Sequence, residues 1–244
     1  MFGITDDEIR RLVKAVDYTS VLSVTATESD VRTACAQARE HGFRAVVAMP
    51  QFVGVMVDEL KGTGVLAQIP VGFPTGGATT AVKCFEAEEG LRRGASDLDM
   101  VMNIAAFKAG AFRMVAQDID AVMAIARPFH VPFKVIIEVN ALGEEEKAEA
   151  ARLVKDSGAD FIKTSTGTYP GKLSLHDITL IRDTVGETPR IKASGGIGSL
   201  EDGVACMRAG ASVVAMRYRL IEQLAQIGWP AMDGRLPRTV TGSA

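Results

Sequence analysis

The feature that most constrains this chain is a recurring junction where an amphipathic stretch ends in glycine and an apolar run begins at once: Gly42-Phe43, Gly94-Ala95, Gly158-Ala159 and Gly210-Ala211. Glycine readily takes the left-handed position that stops a helix, so each junction reads as helix into strand. The junctions lie 52, 64 and 52 residues apart, and each interval holds two extended runs. One strand-helix unit therefore takes roughly thirty residues, the pitch of a (β/α)8 barrel. Seven runs are explicit: Phe43–Met49, Gln68–Phe73, Asp97–Asn103, Phe133–Val139, Asp160–Thr164, Arg190–Ser194 and Ser212–Met216. An eighth fits within Val16–Val24, and 244 residues accommodate eight units. The count predicts an α/β chain with a single (β/α)8 TIM-barrel domain over 1–229. An open, doubly wound sheet would give the same alternation and stays as the alternative. Thr5 with Glu8 has capping-box spacing and opens an N-terminal helix with Ile9, Leu12, Val13 and Val16 on one face. Pro, Gly and Thr break the periodicity from about Pro230, so 230–244 reads as a loose tail.

Hydrophobic residues make up 47% and charged residues 23%, with a formal charge of −3, which fits a globular chain and leaves no basic footprint for nucleic acid. No like-charged run is dense enough for a membrane surface, so the expected partner is a small molecule. Cys35, Cys84 and Cys206 are odd in number, far apart and set in helical patterns, which points to reduced thiols. The acidic stretch Met1–Glu8 lacks an apolar signal core, and no uncharged run reaches membrane-spanning length; the expected location is the cytoplasm. His41, His130 and His176 lack ligand spacing, so neither a metal nor a cofactor is predicted.

The chemistry concentrates in Asp160-Phe-Ile-Lys-Thr-Ser-Thr-Gly167, where a lysine sits inside a strand and is followed by hydroxyls and a glycine. A buried ammonium either finds a partner or gives up its proton, and a neutral buried amine is a carbonyl nucleophile. Lys163 is thus a candidate Schiff-base lysine. The pattern recurs 29 residues on, in Arg190-Ile-Lys-Ala-Ser-Gly-Gly196, and two lysines at one pocket should depress each other's pKa. Strand alternation sets Lys163 with Ser165, Lys192 with Ser194, and Asp97 with Asp99, Val101 and Asn103. Chemistry in a barrel sits where strands end, which gathers Asn103, Thr164 to Gly167 and Ser194 to Gly196 at one mouth. The competing reading is a buried ion network that only neutralises itself.

These residues fall into a larger pattern. The chain resembles the deoxyribose-phosphate aldolase family in Val71-Gly-Phe-Pro-Thr-Gly-Gly77 with Lys83 and Glu86, and in Asp97-Leu-Asp-Met-Val-Met-Asn103. The resemblance continues through Lys134-Val-Ile-Ile-Glu138, Gly158 to Gly167 and Lys192-Ala-Ser-Gly-Gly-Ile197. It implies a (β/α)8 barrel and a metal-free class I aldol reaction, with 2-deoxy-D-ribose 5-phosphate giving glyceraldehyde 3-phosphate and acetaldehyde. Lys163 would form the Schiff base, Lys192 would keep it nucleophilic, and Asp99 would take part in proton transfer. Thr164, Ser165, Gly167, Ser194, Gly195 and Gly196 would contact substrate; Lys172 and Arg217, which stand where this chain departs from the pattern, are expected to do so as well. Relatives also suggest a homodimer.

The departures from that pattern are specific. Phosphate-handling members carry a glycine- and serine-rich turn after the eighth strand, where this chain reads Met216-Arg-Tyr-Arg-Leu220. The loop after Lys163 reads Thr168-Tyr-Pro-Gly-Lys172, Val47 and Met49 stand where cysteine and asparagine are usual, and Thr241-Gly-Ser-Ala244 lacks a terminal tyrosine. Gly195-Gly196 can still present N–H groups to an anion ahead of a helix capped by Ser199 with Asp202, or can simply turn the chain. Arg217 or Arg219 could hold phosphate or carboxylate instead. Two further readings are therefore a family aldolase or lyase for a non-phosphorylated or carboxylated sugar, and a non-catalytic sugar-binding barrel.

Overall fold

The computed structural model describes residues 3–231. Eight parallel strands close on themselves in sequence order: β1 Val16–Tyr18, β2 Ala45–Val47, β3 Leu66–Val71, β4 Asp97–Val101, β5 Phe133–Ile136, β6 Phe161–Lys163, β7 Arg190–Ala193 and β8 Val213–Met216. The open-sheet alternative is excluded by the pairing of β1 with β8. Around the barrel run α1 Asp6–Ala15, α2 Glu28–His41, α3 Val53–Leu60, α4 Thr80–Arg92, α5 Ile104–Lys108 and α6 Phe112–Ala126. They are followed by α7 Glu144–Ser157, α8 Leu175–Val185, α9 Leu200–Arg208 and α10 Arg219–Gln226. The expected tail, 230–244, falls outside the described residues apart from its first two positions.

Local chemistry sets the boundaries. Thr5 and Glu8 form the capping box of α1, and Gly42, Gly94, Gly158 and Gly210 all have positive φ at their junctions. The first strand is shorter than the apolar run that announced it. Pairing stops at Tyr18, because both the backbone N–H and the hydroxyl of Thr19 donate to the carbonyl of Met216 and the chain then turns. The α1 helix lies against α9 and β8, where Gly203 leaves room for Leu12: a Cβ there would fall 2.8 Å from a Leu12 methyl.

The main apolar core lies between barrel and helices. Alternate strand residues point outward into it, among them Ile69, Leu98, Val135, Ile162 and Ile191, all fully buried. Each such side chain contributes about 1.5–3 kcal/mol relative to exposure. The other strand face encloses the barrel interior, and there the chain places Asp17, Gln68, Asp97, Asp99, Lys134, Lys163 and Lys192, every one of them 1% exposed or less. So much buried charge needs a reason beyond stability, since well-packed apolar residues do as well or better.

Candidate active site

The two strand lysines sit directly opposite each other, Lys163 against Lys192 in the β6–β7 register, and Asp99 opposes Lys134 in the β4–β5 register. Both lysine amines reach the same atom: Lys163 Nζ and Lys192 Nζ each lie 2.7 Å from Asp99 Oδ2. The other oxygen, Asp99 Oδ1, accepts from the Gln68 amide and lies 3.3 Å from Lys134 Nζ. Lys192 also lies 2.5 Å from Asp17 Oδ2 and donates to Gln68 Oε1 at 3.1 Å. Below this layer Lys134 pairs with Asp97, and Arg44 joins Asp17 at 2.6 Å to Asp97 at 2.7 Å.

Charge balance picks out one amine. Three carboxylates (Asp17, Asp97, Asp99) face four basic groups (Arg44, Lys134, Lys163, Lys192), so one proton is in excess. Lys163 is the group that gives way. Burial pushes its pKa down, Asp99 only partly offsets this, Lys192 pushes further, and the result is about 8. Lys192 behaves oppositely: burial acts against its charge, but Asp17, Asp99 and Asp97 together raise its pKa. The expectation that the two lysines depress each other thus holds for one of them only, because Lys192 has two carboxylates in contact and Lys163 has one. Lysines 163, 192 and 134 outweigh the cost of burial at Asp99 and hold its carboxyl well below the usual range. Asp17 is likewise lowered against burial by Lys192 and Arg44, whereas at Asp97 burial wins and the pKa rises.

Above Lys163 a cavity of about 420 Å3 opens at the strand ends. Of the residues expected at the site, Lys163, Gly167, Lys172, Ser194, Gly195, Gly196 and Arg217 line it, and Arg219 joins them. Asp99 and Lys192 do not; they lie in the barrel interior and contact Lys163 directly or through the shared carboxylate. Thr164 and Ser165 are absent from the lining too. Strand β6 ends at Lys163, so alternation does not carry to Ser165, and both hydroxyls donate to the Ser194 carbonyl, at 2.8 and 2.5 Å. Their place is to tie the ends of β6 and β7 together. Asn103, also expected at the mouth, caps α5 by accepting from Ala106 N. The loop after β6 is held from below by Glu138, whose carboxylate accepts from the N–H of Thr166 at 3.1 Å and from its hydroxyl. Glu138 itself adopts a left-handed conformation, φ 55°, rare for a non-glycine residue. On the opposite rim, Glu86 accepts from Gly72 N at 2.6 Å, and the buried ammonium of Lys83 donates to Val101 O at 3.0 Å and Asp118 at 2.5 Å. These contacts fix the turn that brings Phe73 to the cavity wall.

Sequence reasoning missed Asp17, Arg44 and Gln68 as members of the cluster, and used Lys134 and Asp97 only as motif or face residues. The available signal was a charged or amide residue at an inward position of an otherwise apolar strand. The self-neutralising reading describes the lower layer, Arg44, Asp97 and Lys134; the upper layer is left with an amine that need not be charged.

The model of the DeoC/LacD family aldolases matches residues 11–216. The chain is 40% identical over 208 residues to the deoxyribose-phosphate aldolase of Caldanaerobacter subterraneus subsp. tengcongensis, covering 85% of this chain and 90% of that one. It is 41% identical over 199 residues to the deoxyribose-phosphate aldolase of Staphylococcus haemolyticus, covering 82% and 89%. A tetrameric structure of deoxyribose phosphate aldolase from Aeropyrum pernix superposes with a TM-score of 0.81 at 27% identity, over 92% of this chain and 98% of the other.

Proposed function

We propose that this chain, which belongs to the DeoC/LacD aldolase family, is a class I aldolase that cleaves 2-deoxy-D-ribose 5-phosphate into acetaldehyde and glyceraldehyde 3-phosphate. The names of its relatives supply the substrate. One observation carries the mechanism: Lys163 is the amine in a cluster with one proton to spare, at the floor of the cavity, with its pKa lowered to about 8.

In this reading the neutral Lys163 amine attacks C1 of the open-chain sugar, and loss of water leaves an iminium. The C3 hydroxyl then gives up its proton, and Asp99, which lies beneath the cavity floor against Lys163, takes part in that transfer through a water relay. The C2–C3 bond breaks, its electron pair moves toward the iminium to form an enamine, and C3 leaves as the aldehyde carbon of glyceraldehyde 3-phosphate. Protonation of the enamine at C2 and hydrolysis of the imine release acetaldehyde and restore the amine. The iminium serves as the electron sink that makes the bond breakable at useful rates. Lys192, held charged by its two carboxylates, disfavours a second positive charge on Lys163 in the free enzyme. Lys163, Lys192 and Asp99 are thus the groups on which we place the chemistry.

The test is borohydride reduction in the presence of acetaldehyde, read by intact mass and peptide mapping. The expected result is one reduced adduct on Lys163, lost in Lys163→Ala while far-ultraviolet circular dichroism is unchanged. An undiminished adduct in that variant overturns the assignment. Three free cysteines support a cytoplasmic setting; no helix among the described residues is long and apolar enough to cross a membrane. For the oligomeric state we propose a homodimer, which would give the exposed Val82 and Phe85 of α4 and Met114 of the adjoining α6 a surface to cover.

A further inference from the structure

The cavity lining is one-sided in charge. Lys163, Lys172, Arg217 and Arg219 reach it, and among the described residues no aspartate or glutamate does. Of these, only Lys163 has a carboxylate within salt-bridge distance among the described residues; Lys172, Arg217 and Arg219 have none. All three are solvent-exposed side chains at the rim. Some exposed arginines of this chain pair with an acid one turn away, as Arg92 does with Glu88 and Arg93 with Glu89. Here the nearest acid in sequence, Glu222 in the first turn of α10, forms no such bridge.

The surrounding backbone favours the same sign. The α10 helix starts at Arg219, its N-cap residue Tyr218 makes no side-chain capping bond, and its N-terminal end lies at the cavity. At the end of the adjacent strand β7, Gly196 has φ 76° and no Cβ, and the Lys172 stem runs over it: a Cβ there would fall 2.9 Å from Lys172 Cγ. The loop carrying Lys172 is pinned by a bond from Leu173 N to Gly195 O at 3.1 Å. Lys172 over the end of β7 and the arginine pair after the adjacent β8 therefore line the same cavity as Lys163.

We propose that Lys172, Arg217 and Arg219 form an anion subsite built from side chains, which selects acceptor aldehydes by the charge of a terminal oxyanion rather than by the tetrahedral shape of phosphate. A backbone cradle fixes its N–H vectors around one geometry. Two guanidinium forks and an ammonium on long exposed stems can instead regroup around a planar carboxylate or a phosphate monoester, and guanidinium matches both in bidentate fashion. The site takes three-carbon and four-carbon aldehydes ending in either group. The proposal rests on the aldolase reading only for which half of the substrate carries the anion.

Two experiments separate the proposal from that reading. In calorimetric titrations, glycerol 3-phosphate and glycerate should both bind with heat and glycerol should not, and the Arg217→Ala/Arg219→Ala double variant should weaken both anions by about tenfold to a hundredfold. In the aldol direction with acetaldehyde as donor, glyceraldehyde 3-phosphate and succinate semialdehyde should show KM values within about tenfold of each other and both well below that of glyceraldehyde. The double variant should raise KM for the two charged acceptors far more than kcat changes, narrowing their advantage over glyceraldehyde. Binding of glycerol 3-phosphate with no detectable glycerate binding, or anion affinities untouched by the double substitution, overturns the subsite. Absence of any borohydride-trapped adduct, with the anion titrations as expected, overturns the aldolase reading and leaves the subsite standing.

Discussion

Replacing Lys192 with methionine removes a charge while keeping an unbranched side chain of similar length, and the structure sets the size of the result. Both amines lie 2.7 Å from one carboxylate oxygen, so they are at most about 5.4 Å apart. At an effective dielectric near 20, two unit positive charges at that separation repel by about 3 kcal/mol, close to two pKa units. Without Lys192, Lys163 becomes the cation needed to balance Asp17, Asp97 and Asp99, and its pKa should rise from about 8 to roughly 10. At pH 7.5 the neutral fraction of the amine then falls from about a quarter to a few parts per thousand, a loss approaching a hundredfold. The assay is kcat/KM from pH 6 to 10.5, with borohydride trapping rates measured in parallel. The wild type should gain activity through a limb near pH 8; the variant should be crippled at neutral pH and recover as pH approaches 10. A variant limb that stays near pH 8, whatever its height, refutes electrostatic coupling between the lysines and leaves burial as the sole cause of the lowered pKa.

Glu138→Ala removes both bonds that hold Thr166, so KM should rise severalfold while the pH limb stays near 8; a displaced limb would tie Glu138 to the charge cluster instead. Lys83→Met strands the buried Asp118 carboxylate and should cost about 3–5 kcal/mol in chemical denaturation, most of it recovered in Lys83→Met/Asp118→Leu; no recovery in the double variant would deny that the pair acts as a unit. The depressed pKa of Lys163 also bears on stability: the unfolded chain binds its proton up to about pH 10.5 but the folded one only to about 8. Denaturation midpoints should therefore improve with pH across that window, relative to Lys163→Met, and a flat difference would show that the amine titrates alike in both states.

Much of the architecture could be read from the chain because the glycine junctions, the strand runs and the capping residues are local signals. The orientation of Lys163, Lys192 and Asp99 was legible for the same reason: alternation fixes the face of a strand from a few neighbouring residues. Asp17 was not, since its contact with Lys192 exists only because β1 closes against β8, and no local pattern announces closure. Arg44 stands just ahead of β2 and looks like a strand-flanking charge until the barrel brings it to Asp17 and Asp97. Thr164 and Ser165 misled in a different way. Hydroxyls beside a reactive lysine suggest substrate contacts, but the Ser194 carbonyl at the end of the neighbouring strand takes their protons first.

The opposition of Lys163 and Lys192 in the β6–β7 register also determines what this scaffold can tolerate as it diverges. Residues 164–189, between β6 and β7, are the loop after β6, the whole of α8 and the short turn into β7, none of which sets the distance between the two amines. Insertions or deletions in the loop between Thr166 and Ser174 would remodel one wall of the cavity and leave the reacting pair where it is. A single residue inserted within β7 ahead of Lys192 would do the reverse, turning that amine out toward the helices and leaving the wall intact. Substrate range and reactivity are thus written into separate stretches of the chain, one open to changes in length and the other closed to them.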